Sequence, residues 1–339
     1  MTDPRPSTLA VGPSPILRVR GLCKYFPVFS QGFFSRQIGI VRAADDVTFD
    51  LMPGETLGLV GESGCGKTTT ARTILRALRP TAGRVEFQVR DRCVDLAAIP
   101  DRELKPLRPH MQMIFQDPFS SLNPRMTVGD IVGEPLVIHR MARGQELEDR
   151  VVEMLVKVGL KGEHRSRYPH AFSGGQRQRI GIARALVMRP SLVVADEAVS
   201  ALDVSVQAQV INLLADLQED LNLTYIFVAH DLSVVRHISD RVAVMYAGRI
   251  VELADTESVF CSPLHPYTRA LISAVPYPDP DAKMNFTLGG EVADPARLPP
   301  GCAFHPRCPE RLPECAETRP PLRPCGAGRE VACHLHKGE

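Results

Sequence analysis

The sequence predicts an α/β protein built on a largely parallel sheet and followed by a small loop-rich extension. Three observations carry this. From about Ile16 to Phe260, short apolar runs alternate with amphipathic segments, the order expected when strands and the helices that cover them succeed one another. Two of the amphipathic segments, "ELEDRVVEMLVKVGL" and "VQAQVINLLADLQEDL", repeat apolar residues at helical spacing, which marks helices with one buried face. Beyond Cys261 the texture changes: 14 of the 29 prolines lie between Pro263 and Pro324, and a residue before proline is biased away from helix. The strand candidates are "TLGLV", "MIF", "LVVAD" and "YIFVAHD", and "RVAVMYAGRIVELA" reads as two short strands around an Ala-Gly turn.

Composition bounds the answer. With 339 residues, 44% of them hydrophobic, the chain can bury a large core and carry a smaller appendage. A net charge of +1, with neither a basic stripe nor a polybasic block, gives no argument for nucleic acid or an anionic membrane as partner. The apolar runs fall short of the ~20 residues that span a bilayer. The opening "MTDPRPSTLAVGPSP" has no continuous apolar stretch and reads as a flexible tail over 1–15 rather than a secretory signal. The expected compartment is the cytoplasm, where thiols stay reduced, so the nine cysteines call for metal, catalysis or plain burial rather than a disulfide framework.

The strongest local signal is "GLVGESGCGKTTTARTIL", which contains G-x-x-x-x-G-K-T from Gly61 to Thr68 between a strand and a helix. The glycines let the backbone of Gly61, Ser63, Gly64, Cys65 and Gly66 curl so that N–H groups, with those of Lys67, Thr68 and Thr69, face phosphate oxygens at a helix N-terminus. Lys67 suits the β- and γ-phosphates and the Thr68 hydroxyl suits Mg²⁺. A second strand, "SLVVADE", delivers Asp196 and Glu197 to its end; Asp196 suits the metal shell and Glu197 a base that orients water, the bland alternative being a solvated strand end. Between the two lies "FSGGQRQRIGIARALVM", where Ser173, Gly174, Gly175 and Gln176 open a helix able to meet an anion, or form only a loop and cap. Cys65 sits near a helix N-terminus, which favours thiolate; alkylation is therefore expected to block ATP hydrolysis and bound ATP to protect, against the alternative of a filler residue.

Taken together, these residues resemble the ATP-binding subunits of ABC transporters. Walker A is "GESGCGKT", the signature is "FSGGQ" where Leu-Ser-Gly-Gly-Gln is usual, Walker B is "LVVADE", the D-loop is "SALD" with Asp203, and the switch histidine is His230 in "VAHD". The resemblance implies a P-loop ABC-type fold, with a RecA-like core, an antiparallel β subdomain, a helical signature subdomain at about 118–172, an ATP-binding domain over 16–262 and a C-terminal extension over 263–339. It implies that Gln116 in "IFQDP" touches Mg²⁺ and water, and that Phe26 in "CKYF" stacks on adenine, with Tyr25 the weaker candidate and a core aromatic the alternative. It further implies head-to-tail closure of two cassettes, so that Ser173 and Gly175 of one chain meet the γ-phosphate on Lys67 of the other. Glu197 then polarises water while His230 steadies the phosphate.

Finer stretches, "FQDPFSSLNPRMTVGDIVGEPL", "DEAVSALDVSVQAQVINLL" and "SPLHPYTRALISAVP", resemble the second ATPase type of oligopeptide/dipeptide importers. Ala198 stands where proline is usual. The implied partners are a second ABC ATPase, a heterodimer rather than a homodimer, two integral-membrane permease subunits and, indirectly, an extracytoplasmic solute-binding protein. The implied place is the cytoplasmic face of the inner membrane. Nickel, glutathione and oligosaccharides are alternative cargoes in this branch, and a soluble ABC ATPase on ribosomes or DNA is an alternative of another class. Cys302, Cys308, Cys315 and Cys333 are separated by five, six and seventeen residues, matching neither zinc knuckles nor the usual ferredoxin run. Similar importer extensions imply a [4Fe–4S] cluster on these four; zinc and unligated thiols stay open. Cys325 has no counterpart, and His305, His334 and His336 read as surface residues.

Overall fold

The computed structural model describes residues 14–30, 36–117, 121–274, 293–326 and 328–336. The Pro- and Ser-rich opening therefore lies, up to residue 13, outside the described residues. The central sheet runs β11-β12-β10-β9-β3-β8-β7-β6 among the described residues. Its interior is parallel: β3 (Thr56–Val60), β6 (Met111–Ile114), β7 (Leu192–Asp196), β8 (Thr224–Val228) and β9 (Arg241–Tyr246) all point one way. Every residue of β3, β7 and β8 is buried, as parallel strands covered on both faces must be. Side chains alternate between two cores. Val193, Ala195, Tyr225 and Phe227 face one, whereas Leu192, Val194, Ile226 and Val228 face the other.

The second core is closed by an antiparallel sheet of β1 (Leu17–Phe29), β2 (Gln37–Leu51), β4 (Ala82–Val89) and β5 (Arg92–Asp95), in the order β2-β1-β4-β5. Helix α1 (Lys67–Ile74) contributes Ala71 and Ile74 to this core, and the single turn α2 (Asp101–Leu104) adds Leu104. On the opposite face lie α3 (Val128–Ile138), α4 (Gly144–Lys157) and α5 (Gly174–Leu186), followed by α6 (Val204–Leu221) and α7 (Leu232–Ile238). Thr127 starts α3 with a reciprocal capping box to Asp130, satisfying two backbone donors that a helix start leaves orphaned. In α4 the buried residues are Val151, Met154 and Leu155, the stripe its helical spacing predicts. The Ala-Gly hairpin is also present: β9 pairs antiparallel with β10 (Arg249–Asp255), and Ala247 and Gly248 both have positive φ, 46° and 84°, as a two-residue hairpin turn of this hand requires.

The loop-rich extension packs onto the cassette. After α8 (Thr256–Cys261) and α9 (Pro266–Ser273), it shares the cassette's core. β12 (Glu330–Val331) pairs with β10, and β11 (Arg323–Pro324) pairs with β12. Tyr267 and Phe304 are buried in the cluster that holds Tyr246, Val331 is buried on β12, and the Tyr246 and Tyr267 ring centroids lie 4.7 Å apart. The buried Glu252 carboxylate accepts the N–H groups of Leu264 and His265 at 2.8 and 2.9 Å. His265 caps α9 by accepting Tyr267 N–H, and complete burial pushes its imidazole down to about 3, so it stays neutral. Cys315 on the single turn α10 (Glu314–Glu317) is buried as well. No helix among the described residues is long and apolar enough to cross a membrane.

Candidate functional site

Between β3 and α1 the chain makes a loop that only glycine permits at two points. A Cβ on Gly66, whose φ is 107°, would lie 1.9 Å from the Ala43 carbonyl oxygen, and one on Gly61 would lie 2.2 Å from that of Met245. Both collisions are with backbone and cannot be relieved by a rotamer change. Lys67 curls over this loop and donates to the carbonyls of Gly61 and Glu62 at 2.7 and 3.0 Å. The loop borders a cavity of about 320 Å³ lined by Ser63, Gly64, Gly66, Lys67, Thr68 and Thr69 on one side and by Val41, Ala43, Gln116, Glu197 and Pro295 on the other. This is within the range of a small-molecule site.

The end of β7 supplies the acid face. Thr68 Oγ1 donates to Asp196 at 2.8 Å, and the Arg72 guanidinium stands 3.5 Å from the other Asp196 oxygen. Asp196 is 1% exposed; burial pushes its carboxyl up, with a contribution from neighbouring Glu197, against the lowering effects of Thr68 and Arg72. Glu197 leaves the strand with φ of 48°, a conformation unfavourable for a side chain with a Cβ. It is held there by its N–H on the Val228 carbonyl. The turn aims its carboxylate at Gln116 Nε2, 2.7 Å away, and at His230 Nδ1, 3.7 Å away. A hydroxyl, two carboxylates and an amide thus converge from three strand ends, a hard-oxygen set suited to Mg²⁺. Arg72 and Pro295 were missed, because neither belongs to a motif.

Other predicted residues lie apart. Ser173 N-caps α5: its Oγ accepts Gln176 N–H while the Gln176 side chain accepts Ser173 N–H. Gly175 packs so closely on Val206 that a Cβ would meet it at 2.4 Å. None of Ser173, Gly174, Gly175 or Gln176 lines the cavity of its own chain, and Asp203 sits at the start of α6. Phe26 is 36% exposed and pairs across β1 and β2 with Val41, which does line the cavity. Tyr25 turns away and donates to Asp45 at 2.5 Å.

Comparison with known proteins decides what this arrangement is. Residues 44–200 match the ABC transporter family and residues 251–315 the C-terminal region of oligopeptide/dipeptide transporters. The chain is 51% identical to a probable peptide ABC transporter ATP-binding protein of Sinorhizobium fredii over 94% of its length and 90% of that protein. It is also 51% identical to an oligopeptide transport ATP-binding protein of Bacillus subtilis, over 95% and 97%. The chain belongs to the ABC transporter ATP-binding proteins. Among solved structures this ABC protein is similar to a dimeric cassette in a post-hydrolysis state bound to ADP and Pi, with a TM-score of 0.60 and 27% identity over 71% of this chain and 98% of that one. A second is a cassette from Clostridium perfringens, with a TM-score of 0.61 and 27% identity over 74% and 92%.

Among the described residues no group of three or more His, Cys, Asp or Glu is placed to hold a metal ion, so the cysteines of the extension do not form a ready ligand set. They are nevertheless near neighbours: Cys302 N–H donates to the Cys315 carbonyl at 2.8 Å. Burial, with smaller contributions from the other thiols of the four, pushes Cys302 and Cys333 up to about 11. His305, His334 and His336 are partly exposed, and each ring lies within 3.1 Å of a backbone carbonyl, those of Cys302, Thr318 and Leu264.

The expectation of a reactive thiol at Cys65 needs correction. It is 3% exposed, and burial raises its thiol against the lowering effect of Lys67, so desolvation outweighs the helix N-terminus. Iodoacetamide at neutral pH will label exposed Cys93 and Cys261 well before Cys65. Because the Cys65 thiol ionises later than an ordinary one, its labelling will climb only at higher pH. Peptide-resolved mass spectrometry checks this, and Cys65 labelled as fast as Cys93 would restore the reactive-thiol reading.

Proposed function

We propose that this chain is the ATP-hydrolysing subunit of a peptide importer, acting from the cytoplasmic side on membrane permeases as one of two cassettes that close around ATP. The finer assembly is a heterodimer with a related ATPase on two integral-membrane permease subunits, supplied by an extracytoplasmic solute-binding protein. The observation that carries the reading is the separation of the phosphate loop from the Ser173–Gln176 helix start, in a chain 51% identical to peptide transport ATPases. A helix N-terminus that does not line its own phosphate cavity can serve ATP by meeting a second cassette.

Each residue then has a task. Phe26 stacks on adenine, and the N–H groups of Gly61, Ser63, Gly64, Cys65, Gly66 and Thr69 cradle the phosphates. Lys67 leaves its two carbonyl contacts for the β- and γ-phosphates. Thr68, Asp196 and Gln116 would hold Mg²⁺, which neutralises phosphate charge when bound. Glu197 accepts a proton from the attacking water, and His230 orients the γ-phosphate and that water. Ser173, Gly174, Gly175, Gln176 and Asp203 serve the nucleotide held by the opposite cassette. Glu197→Gln is expected to bind ATP, lower turnover by about 100-fold or more and accumulate closed dimers, read by phosphate release and size-exclusion chromatography with MgATP. Near-normal turnover would move the base elsewhere.

We also propose that Cys302, Cys308, Cys315 and Cys333 hold a [4Fe–4S] cluster. What supports it is four soft donors in one Pro-rich segment, with Cys302 hydrogen-bonded to the Cys315 backbone. Such a cluster would tie the extension together. Anaerobically purified chain should carry about four irons and four acid-labile sulfides, lost in Cys308→Ser. Zinc alone, or no metal in active protein, would end this proposal.

A further inference from the structure

The extension reaches the phosphate loop itself. Arg307 lies 245 residues from Glu62, the second residue of Walker A. Its two terminal nitrogens donate to the two Glu62 carboxylate oxygens at 2.8 and 3.0 Å, and the side chains are only 5% and 20% exposed. Glu62 is engaged at every polar group it has. Its N–H donates to the Tyr267 hydroxyl at 2.8 Å, and its carbonyl accepts from Lys67. The Arg307 guanidinium also lies 6.0 Å from the centre of the Phe304 ring, inside the aromatic cluster with Tyr246 and Tyr267. A second stretch of the extension reaches the cavity. Pro295 lines it, and the Pro295 carbonyl accepts Arg42 N–H at 3.2 Å between the lining residues Val41 and Ala43.

We infer that Arg307 and Tyr267 are positioning residues of the nucleotide site, and that the extension holds the phosphate loop in its curled form and masks a carboxylate that would otherwise repel phosphate. This deepens the ATPase reading and rests on it. The argument is electrostatic as well as geometric. A phosphate loop works by presenting donors and positive potential to an anion, so a bare carboxylate at Glu62 opposes its task. A bidentate arginine cancels that charge and fixes the direction of the backbone from which it springs. With the Glu62 N–H on Tyr267, the loop cannot swing without breaking three hydrogen bonds, and a loop already ordered loses less entropy when ATP binds. By linkage, ATP on the loop also favours the docked extension.

The test uses full-length chain and a fluorescent N-methylanthraniloyl ATP with Mg²⁺, read as Kd, together with the unfolding temperature without nucleotide. Arg307→Met should weaken binding by about tenfold and Tyr267→Phe, which keeps the ring, by about threefold. Adding Glu62→Gln to Arg307→Met should recover most of the loss, because the unmasked charge is gone. A merely structural Arg307 would not respond to that second change. Wild-type Kd in Tyr267→Phe and in soluble Arg307→Met would overturn the inference, and if Arg307→Met does not fold, Tyr267→Phe decides alone. Failure of the ATPase reading would look different, since the unsubstituted chain would then not bind the probe.

Discussion

The constraint on which most of this structure depends is the close approach of the phosphate loop to two other strands. Gly66 lies against the Ala43 carbonyl of β2, and Gly61 against the Met245 carbonyl of β9. The Gly248 N–H, from the hairpin after β9, donates to the Cys65 carbonyl at 2.8 Å. Loop, antiparallel sheet and hairpin are therefore fixed together by backbone contacts that leave no room for side chains. This places α1 with its N-terminus toward the cavity and sets Thr68 within reach of Asp196 across the sheet. It also brings β9, and with it Tyr246, alongside the extension.

The acid face follows from strand order. β3, β8, β7 and β6 end at the same edge, so Thr68, His230, Glu197, Asp196 and Gln116 meet although they come from four separate stretches of chain. Ligands of parallel sheets bind beyond the carboxyl ends of their strands for this reason. The φ of Glu197 is the local cost of turning its carboxylate back toward Gln116 and His230.

What the sequence made legible was local. The phosphate loop, the acidic strand end, the capped Ser173 helix and the Ala-Gly hairpin are each written within a dozen residues, and their chemistry needs no long-range information. Electrostatics in the fold was less legible. A cysteine beside a helix N-terminus reads as reactive, but Cys65 is buried in a core shared with β2 and β9, which a local pattern does not report. How the loop-rich extension is anchored was not legible: its prolines say nothing of Tyr267 and Phe304, which enter the cassette's own core. The Arg307 to Glu62 fork was invisible, because an arginine between a proline and a cysteine carries no signal about a partner 245 residues away.

The central claim is that phosphate loop and extension act as one unit around ATP. Hydrogen–deuterium exchange of the full-length chain, with and without MgATP, tests it most directly. The account predicts that ATP protects amides in residues 61–69 and, in the same experiment, amides in residues 293–308, since both ends of the Arg307 fork are ordered together. Protection of the loop with unchanged exchange across 293–308 would contradict it and leave the extension a neighbour of the site rather than a part of it.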